Sequence, residues 1–161
     1  MAFTIITVYS CKQPSTENEV NPDNQQQTEV FFPKGEKVSE KESTGTNGNF
    51  TGEVWREILS DTLSRVGSVT FEPGARTNWH SHPGGQVLIV TAGLGYYQEK
   101  GKPIQIIRKR DVVNIPPDVE HWHGASPDSA LTHIAVSINS QNEPTVWLKP
   151  VTDEEYYSNK P

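Results

Sequence analysis

The sequence predicts an all-β fold, a sandwich or barrel of short strands followed by one short helix. Three observations predict it. Short apolar or alternating runs follow one another between about residues 50 and 140. Glycine and proline turns separate them. No long amphipathic helical pattern interrupts the series. A chain of 161 residues is also long enough for one domain with a real core.

The elements can be read in order. Val54 to Leu59 reads as a strand, and Ser64 to Phe71 alternates apolar and small residues as a second. Glu72-Pro73-Gly74-Ala75 is a turn, because proline fixes φ and glycine admits positive φ. Gln86 to Thr91 is strand-like, Ala92-Gly93 breaks it, and Leu94 to Gln98 resumes it. Glu99-Lys100-Gly101-Lys102 is a hairpin tip. Pro103 to Arg108 and Asp111 to Ile115 are further strands, the latter closed by Pro116-Pro117-Asp118. His121 to Ala125 and Ala130 to Ile138 complete the series. Val151 to Tyr157 suits a short helix, with Thr152 as cap and Glu155 three positions later in a capping box.

The organisation is therefore a leader over residues 1–28, an N-terminal extension over 29–49, a barrel over 50–150 and a helical tail over 151–161. Residues 12–28 are polar and proline-broken and cannot build a core. The apolar run before them ends in Ser10-Cys11, which resembles the end of a bacterial lipoprotein signal without its basic n-region. Two localisations follow, a cytoplasmic protein or a periplasmic one tethered to a membrane through Cys11 alone. The single cysteine excludes an intramolecular disulfide and a cysteine-only metal site. A net charge of -6, with no Lys/Arg cluster carrying interleaved aromatics, argues against a nucleic-acid partner. Arg76 and Lys109 read as solvated turn residues.

Four of the five histidines fall in two pairs, His80/His82 and His121/His123; the fifth is His133. Residues two apart on an extended strand share a face, so each pair can aim two imidazoles at one point. Pro83-Gly84-Gly85 then bends the chain, and Gln86 can present its side-chain oxygen to the same point. Imidazole nitrogens with an oxygen donor suit a transition metal. A neutral Gln86, where a glutamate would bring a charge, leaves the site more positive and helps it hold an anionic substrate. Trp79 and Trp122 flank these histidines in the opposite alternation phase and should pack outside the cavity. Of Tyr96 and Tyr97, only one can face inward.

The motif Pro73-Gly74, Trp79-His80-Ser81-His82, Gln86, Gly93 resembles the first motif of the cupin superfamily, and Asp111 to Pro117 with Glu120-His121 resembles the second. The resemblance implies a double-stranded β-helix, a jelly-roll barrel with a metal near its mouth. Phe50-Thr51-Gly52, Val69 to Thr77, His121 to Ala125 and Val151 to Tyr156 are similar to small single-domain bacterial cupins that include manganese-dependent hydroxynitrile lyases. Carried over by position, His80, His82, Gln86 and His121 would bind one divalent metal per subunit, manganese first, with iron, zinc and nickel as alternatives. His123 and His133 would lie in the pocket as catalytic, proton-transferring groups. The lyases carry a glutamine four residues after the counterpart of His133, where this chain has Ser137. The resemblance also implies a homodimer acting on a small molecule.

The function expected is a metal-dependent lyase or related acid-base enzyme acting on a small hydroxy or carbonyl substrate. The alternatives are an iron-dependent dioxygenase and a non-catalytic metal- or small-molecule-binding barrel.

Overall fold

A computed structural model describes residues 34–38 and 48–157. The expected leader, with Cys11, and most of the expected extension lie outside the described residues. The architecture is the expected one: a curled antiparallel sheet forming a half-barrel of jelly-roll type, with a short C-terminal helix.

Among the described residues, twelve strands build it: β1 Glu36–Lys37, β2 Phe50–Thr51, β3 Val54–Asp61, β4 Arg65–Phe71, β5 Arg76–Thr77, β6 His80–Ser81, β7 Gln86–Glu99, β8 Gln105–Arg108, β9 Val112–Ile115, β10 His121–Ala125, β11 Leu131–Ser137 and β12 Val146–Trp147. The helix α1 spans Asp153–Tyr157. The sheet runs β1-β3-β4-β11-β7-β10-β5-β2, with β6 attached beside β10, β12 beside β6, and β8 and β9 beside β7.

β7 is the long strand that joins the two halves. Its first part pairs with β11 and β9, and its second with β10 and β8. The sequence suggests a break at Ala92-Gly93; the structure has a bend within one continuous 14-residue strand. Gly93 takes φ +77° there, and a Cβ on it would sit 1.9 Å from Ala130 O. Glycine thus turns the strand without ending its pairing, and the register against β11 shifts between Thr132 and His133.

Strand pairing aligns the inward side chains in rows. Val54, Phe71 and Leu131 share one row; Arg56, Val69, His133 and Val90 the next; Ile58, Gly67, Ala135 and Leu88 the third. After a bulge in β3, Asp61, Arg65, Ser137 and Gln86 share a fourth. Phe71, Leu88, Val90 and Leu131 form the inner core, fully or almost fully buried. The fully buried Tyr97 belongs to this core, whereas Tyr96 packs outside, as alternation requires.

A second core lies on the outer face, where Trp79, Tyr96 and Trp122 meet Val151 and Tyr156. Both tryptophans therefore avoid the cavity, and the cover over them is the chain's own C-terminal segment. Thr152 and Glu155 form the expected capping box: the Glu155 N–H donates to Thr152 Oγ1 at 3.1 Å, and the Thr152 N–H donates to Glu155 Oε2 at 2.9 Å. The Tyr156 hydroxyl donates to Ala125 O at 2.7 Å. Arg76 is not the solvated turn residue its position suggests. It is buried, donates to Val151 O through Nε and Nη2, pairs with Asp153 and stacks on Tyr156. Fixing the tail on the barrel gives the guanidinium its partners and lets it be buried.

Candidate metal centre and its cavity

β6, the turn after it, and β10 bring the two histidine pairs together. His80 pairs with His121 across the β6–β10 ladder and with Trp147 of β12 on its other side. The turn from His82 to Gly85 is closed by the Gly85 N–H donating to His82 O, with φ +83° at Gly85. It delivers Gln86 at the start of β7. Nitrogens of His80, His82 and His121 all lie within 4.8 Å of one another, and all three residues are buried. Such a histidine triad can coordinate a divalent metal.

Hydrogen bonds set which nitrogen each ring offers. His80 donates from Nδ1 to Asn78 O at 2.9 Å, and His121 from Nδ1 to Val119 O at 2.8 Å. Both rings then turn an unprotonated Nε2 inward. Asn78 is itself held by its amide, which donates to Gly48 O. His82 meets Thr145 Oγ1 through Nδ1 at 3.2 Å, and its buried Nε2 has no hydrogen-bond partner.

Gln86 supplies the most telling contact. Its Nε2 donates to Ser137 Oγ at 3.3 Å, which aims Oε1 at His121 Nε2, 3.3 Å away. With the His121 proton on Nδ1, this places two lone pairs face to face. Neither atom satisfies the other, whereas a cation held by both would satisfy each. The donor set, the unpartnered His82 Nε2 and this acceptor–acceptor contact all fit a bound metal. Ser137 orients the amide by accepting from its Nε2.

His123 and His133 form a second unit in the same cavity. His133 Nε2 and His123 Nδ1 are 3.2 Å apart, so one donates to the other. Phe71 packs edge-on against the His123 ring at 5.7 Å and tilted against His133 at 5.6 Å. The His123 backbone N–H donates to Thr77 Oγ1 at 3.1 Å. The His123 ring centre lies 5.3 Å from that of His80.

Burial is the largest cause of the histidines' acidity. It pushes His82, His121 and His133 down to about 4 and holds His80 and His123 well below the ordinary 6.5. Neighbouring imidazoles lower His80, His82 and His123 further, while the bond to Val119 O partly opposes burial at His121. The rings are therefore neutral at pH 7, the state a metal ligand requires.

These shifts have a consequence for stability. Well above pH 6.5 the histidines are neutral in both the folded and the unfolded chain, and the stability is fully present. As pH falls from 6.5 towards 4, the unfolded chain takes up protons that the folded barrel excludes. Each of His82, His121 and His133 then removes up to about 1.4 kcal/mol per pH unit. The urea midpoint of metal-free protein should fall clearly between pH 7 and pH 4.5. A midpoint independent of pH over that range would contradict neutral burial.

A cavity of about 310 Å³ opens over these groups, lined by His80, His82, Gln86, His123 and His133 among others. That is within the range of small-molecule sites. Four contributors to the site escape notice in the sequence: Thr145 against His82, Trp147 tilted on His80 at 4.9 Å, and the cavity-lining Arg56 and Arg65. Thr145 and Trp147 lie in a segment with no motif. The two arginines could have been found by counting in twos from Val54 and Phe71.

Comparison with known proteins agrees with this geometry. A sequence profile of the cupin domain matches residues 67–137. The (R)-mandelonitrile lyase of Granulicella tundricola is 47% identical over 111 residues, which are 66% of this chain and 85% of that protein. A cupin-like protein from Thermotoga maritima, solved by crystallography, is 50% identical and superposes with a TM-score of 0.73, over 80% of this chain and 96% of that one. A cupin-2 domain protein from Rhodospirillum rubrum shares the fold at 17% identity, with a TM-score of 0.59 over 78% of this chain and 80% of that one. Among the described residues, no helix is long and apolar enough to cross a membrane.

Proposed function

Because the chain belongs to the cupin superfamily, we propose that its histidine cluster is the metal centre of a lyase acting on small hydroxy or carbonyl compounds, of the hydroxynitrile lyase type. The observation that carries this reading is the juxtaposition of two units: the triad with Gln86, of which His80, His82 and Gln86 line the cavity, and the His123–His133 pair that lines it beside them. His80, His82, Gln86 and His121 would hold the ion, manganese in the first instance. A bound divalent ion would polarise a hydroxyl or carbonyl oxygen and stabilise negative charge on it.

The protein's own groups supply the rest. With Nδ1 engaged by His133, His123 keeps Nε2 for exchange with a substrate. When His123 donates to His133, Nε2 is a base; when His133 donates, Nε2 carries a proton and is an acid. Shifting protons within the pair lets one residue play both parts. Cleaving a cyanohydrin requires such a group. The hydroxyl proton leaves, the bond to the nitrile carbon breaks with its electron pair going to cyanide, and a proton ends on cyanide as HCN. Phe71, packed on both rings, helps fix their orientation.

The test is release of benzaldehyde from mandelonitrile. Manganese-loaded protein should cleave it well above the background rate, and chelated protein should not. Equal rates with and without metal would overturn the reading.

The outward row Ile134–Ile89–Val112 supports the homodimer: Ile89 and Val112 are 40% and 54% exposed on neighbouring strands. Packing one sheet on a second copy would cover them. Sedimentation should give twice the mass of one chain, and a monomer at all concentrations would remove the dimer.

A further inference from the structure

We propose that Thr145 is the positioning residue of the His82 ligand: its hydroxyl accepts the His82 Nδ1 proton and so keeps Nε2 bare for the metal. This rests on the metal-centre reading above and adds a residue to it.

Strand register puts Thr145 there. β12 lies antiparallel to β6, with Val146 opposite Ser81 and Trp147 opposite His80. Continued by one residue, that register sets Thr145 opposite His82. A period of two then puts Thr145 and Trp147 on the face that carries the two histidines, and Val146 on the other. Thr145 and Trp147 accordingly line the cavity with His80 and His82, while Val146 is exposed. Trp147 lies on the His80 ring, and Thr145 Oγ1 stands 3.2 Å from His82 Nδ1. Backbone bonds tie this segment down on both sides of the histidine pair. The Ile138 N–H donates to Gly85 O, the Leu148 N–H to Trp79 O, and the Trp79 N–H to Lys149 O. The hydroxyl is thus delivered by a backbone whose own bonds do not depend on it.

The three histidines of the triad are held in two different ways. His80 and His121 each donate from Nδ1 to a carbonyl two residues back, Asn78 O and Val119 O. The local chain fixes those rings. His82 Nδ1 meets a side chain 63 positions away instead. Two proton placements satisfy that contact. If the hydroxyl donated, the proton of the neutral ring would sit on Nε2, a buried atom with no acceptor. An unsatisfied donor would be buried, and the lone pair a metal needs would be lost. If Nδ1 donates, Nε2 presents that lone pair, and a cation satisfies it. The ligand atoms of the triad lie within 4.8 Å of one another, which favours the second placement. Thr145 then does for His82 what Ser137 does for Gln86: it holds the far side of the group so that the near side faces the ion.

The experiment compares Thr145→Val, which keeps the shape and loses the acceptor, with Thr145→Ser, which keeps the hydroxyl. Manganese affinity of the full chain should fall roughly 10- to 100-fold in the valine variant and by less than about threefold in the serine variant. Long-range proton–nitrogen NMR on the metal-free proteins at neutral pH reads the tautomer directly. The His82 proton should be on Nδ1 in the wild type and the serine variant, and should move in part to Nε2 in the valine variant. A wild type with that proton on Nε2 would overturn the proposal. So would a valine variant with either wild-type affinity or an unmoved proton. A serine variant as weak as the valine variant would do the same, because the hydroxyl would then not be what matters. No manganese binding by the wild type, with the proton on Nδ1, would overturn the metal-centre reading and the ligand role with it, leaving only the Thr145–His82 bond.

Discussion

Replacing His123 with glutamine should lower mandelonitrile cleavage by roughly 100- to 10,000-fold while the protein keeps its metal. The amide of glutamine can still meet His133 but cannot carry a proton to and from a substrate. The pair 3.2 Å apart is the reason to expect so large an effect from a residue outside the triad. Turnover would fall through kcat, with KM little changed, because the group acts on the moving proton. Loss of metal in this variant would instead move His123 into the ligand set. Retention of full activity would leave the buried pair a packing feature.

The second large effect is on metal binding. His80→Ala and His121→Ala should each reduce manganese affinity by more than about 100-fold, beyond the loss usual for an outer partner. The barrel should remain folded. Its inner core of Phe71, Leu88, Val90 and Leu131, and its outer core around Trp122, do not depend on either imidazole. Truncation does leave Asn78 O or Val119 O without its donor, a cost of about 1–3 kcal/mol. Circular dichroism and metal analysis on the same samples separate the two effects. Stoichiometric metal in either variant would sink the assignment.

Much of this was legible in the sequence, for identifiable reasons. The short strands and the capped final helix follow from alternation, turn residues and the Thr152/Glu155 spacing, all of them local signals. The histidine pairs were legible because a period of two puts both rings on one face, and sheet closure set His80 against His121. The arginines were harder. Charge is ordinarily a sign of solvent, so Arg76 read as a turn residue, yet it is buried under the C-terminal segment with Val151 and Asp153 as partners. Those partners are some 75 residues distant, and no local pattern announces them. Arg56 and Arg65 were hidden in the same way, although their phase against Val54 and Phe71 placed them inward. Gly93 shows the reverse case: a residue that locally signals a break is the hinge that keeps β7 whole. The Gln86–Ser137 bond joins strands 51 positions apart and only emerges once β11 lies beside β7.

The most direct measurement is pulsed EPR on protein loaded with a single equivalent of manganese. We expect couplings from imidazole nitrogens of three histidines, with one set lost in a His82→Ala variant that still binds residual metal. Manganese bound without any nitrogen coupling, or with couplings unchanged by that substitution, would contradict the metal centre on which the proposed chemistry depends.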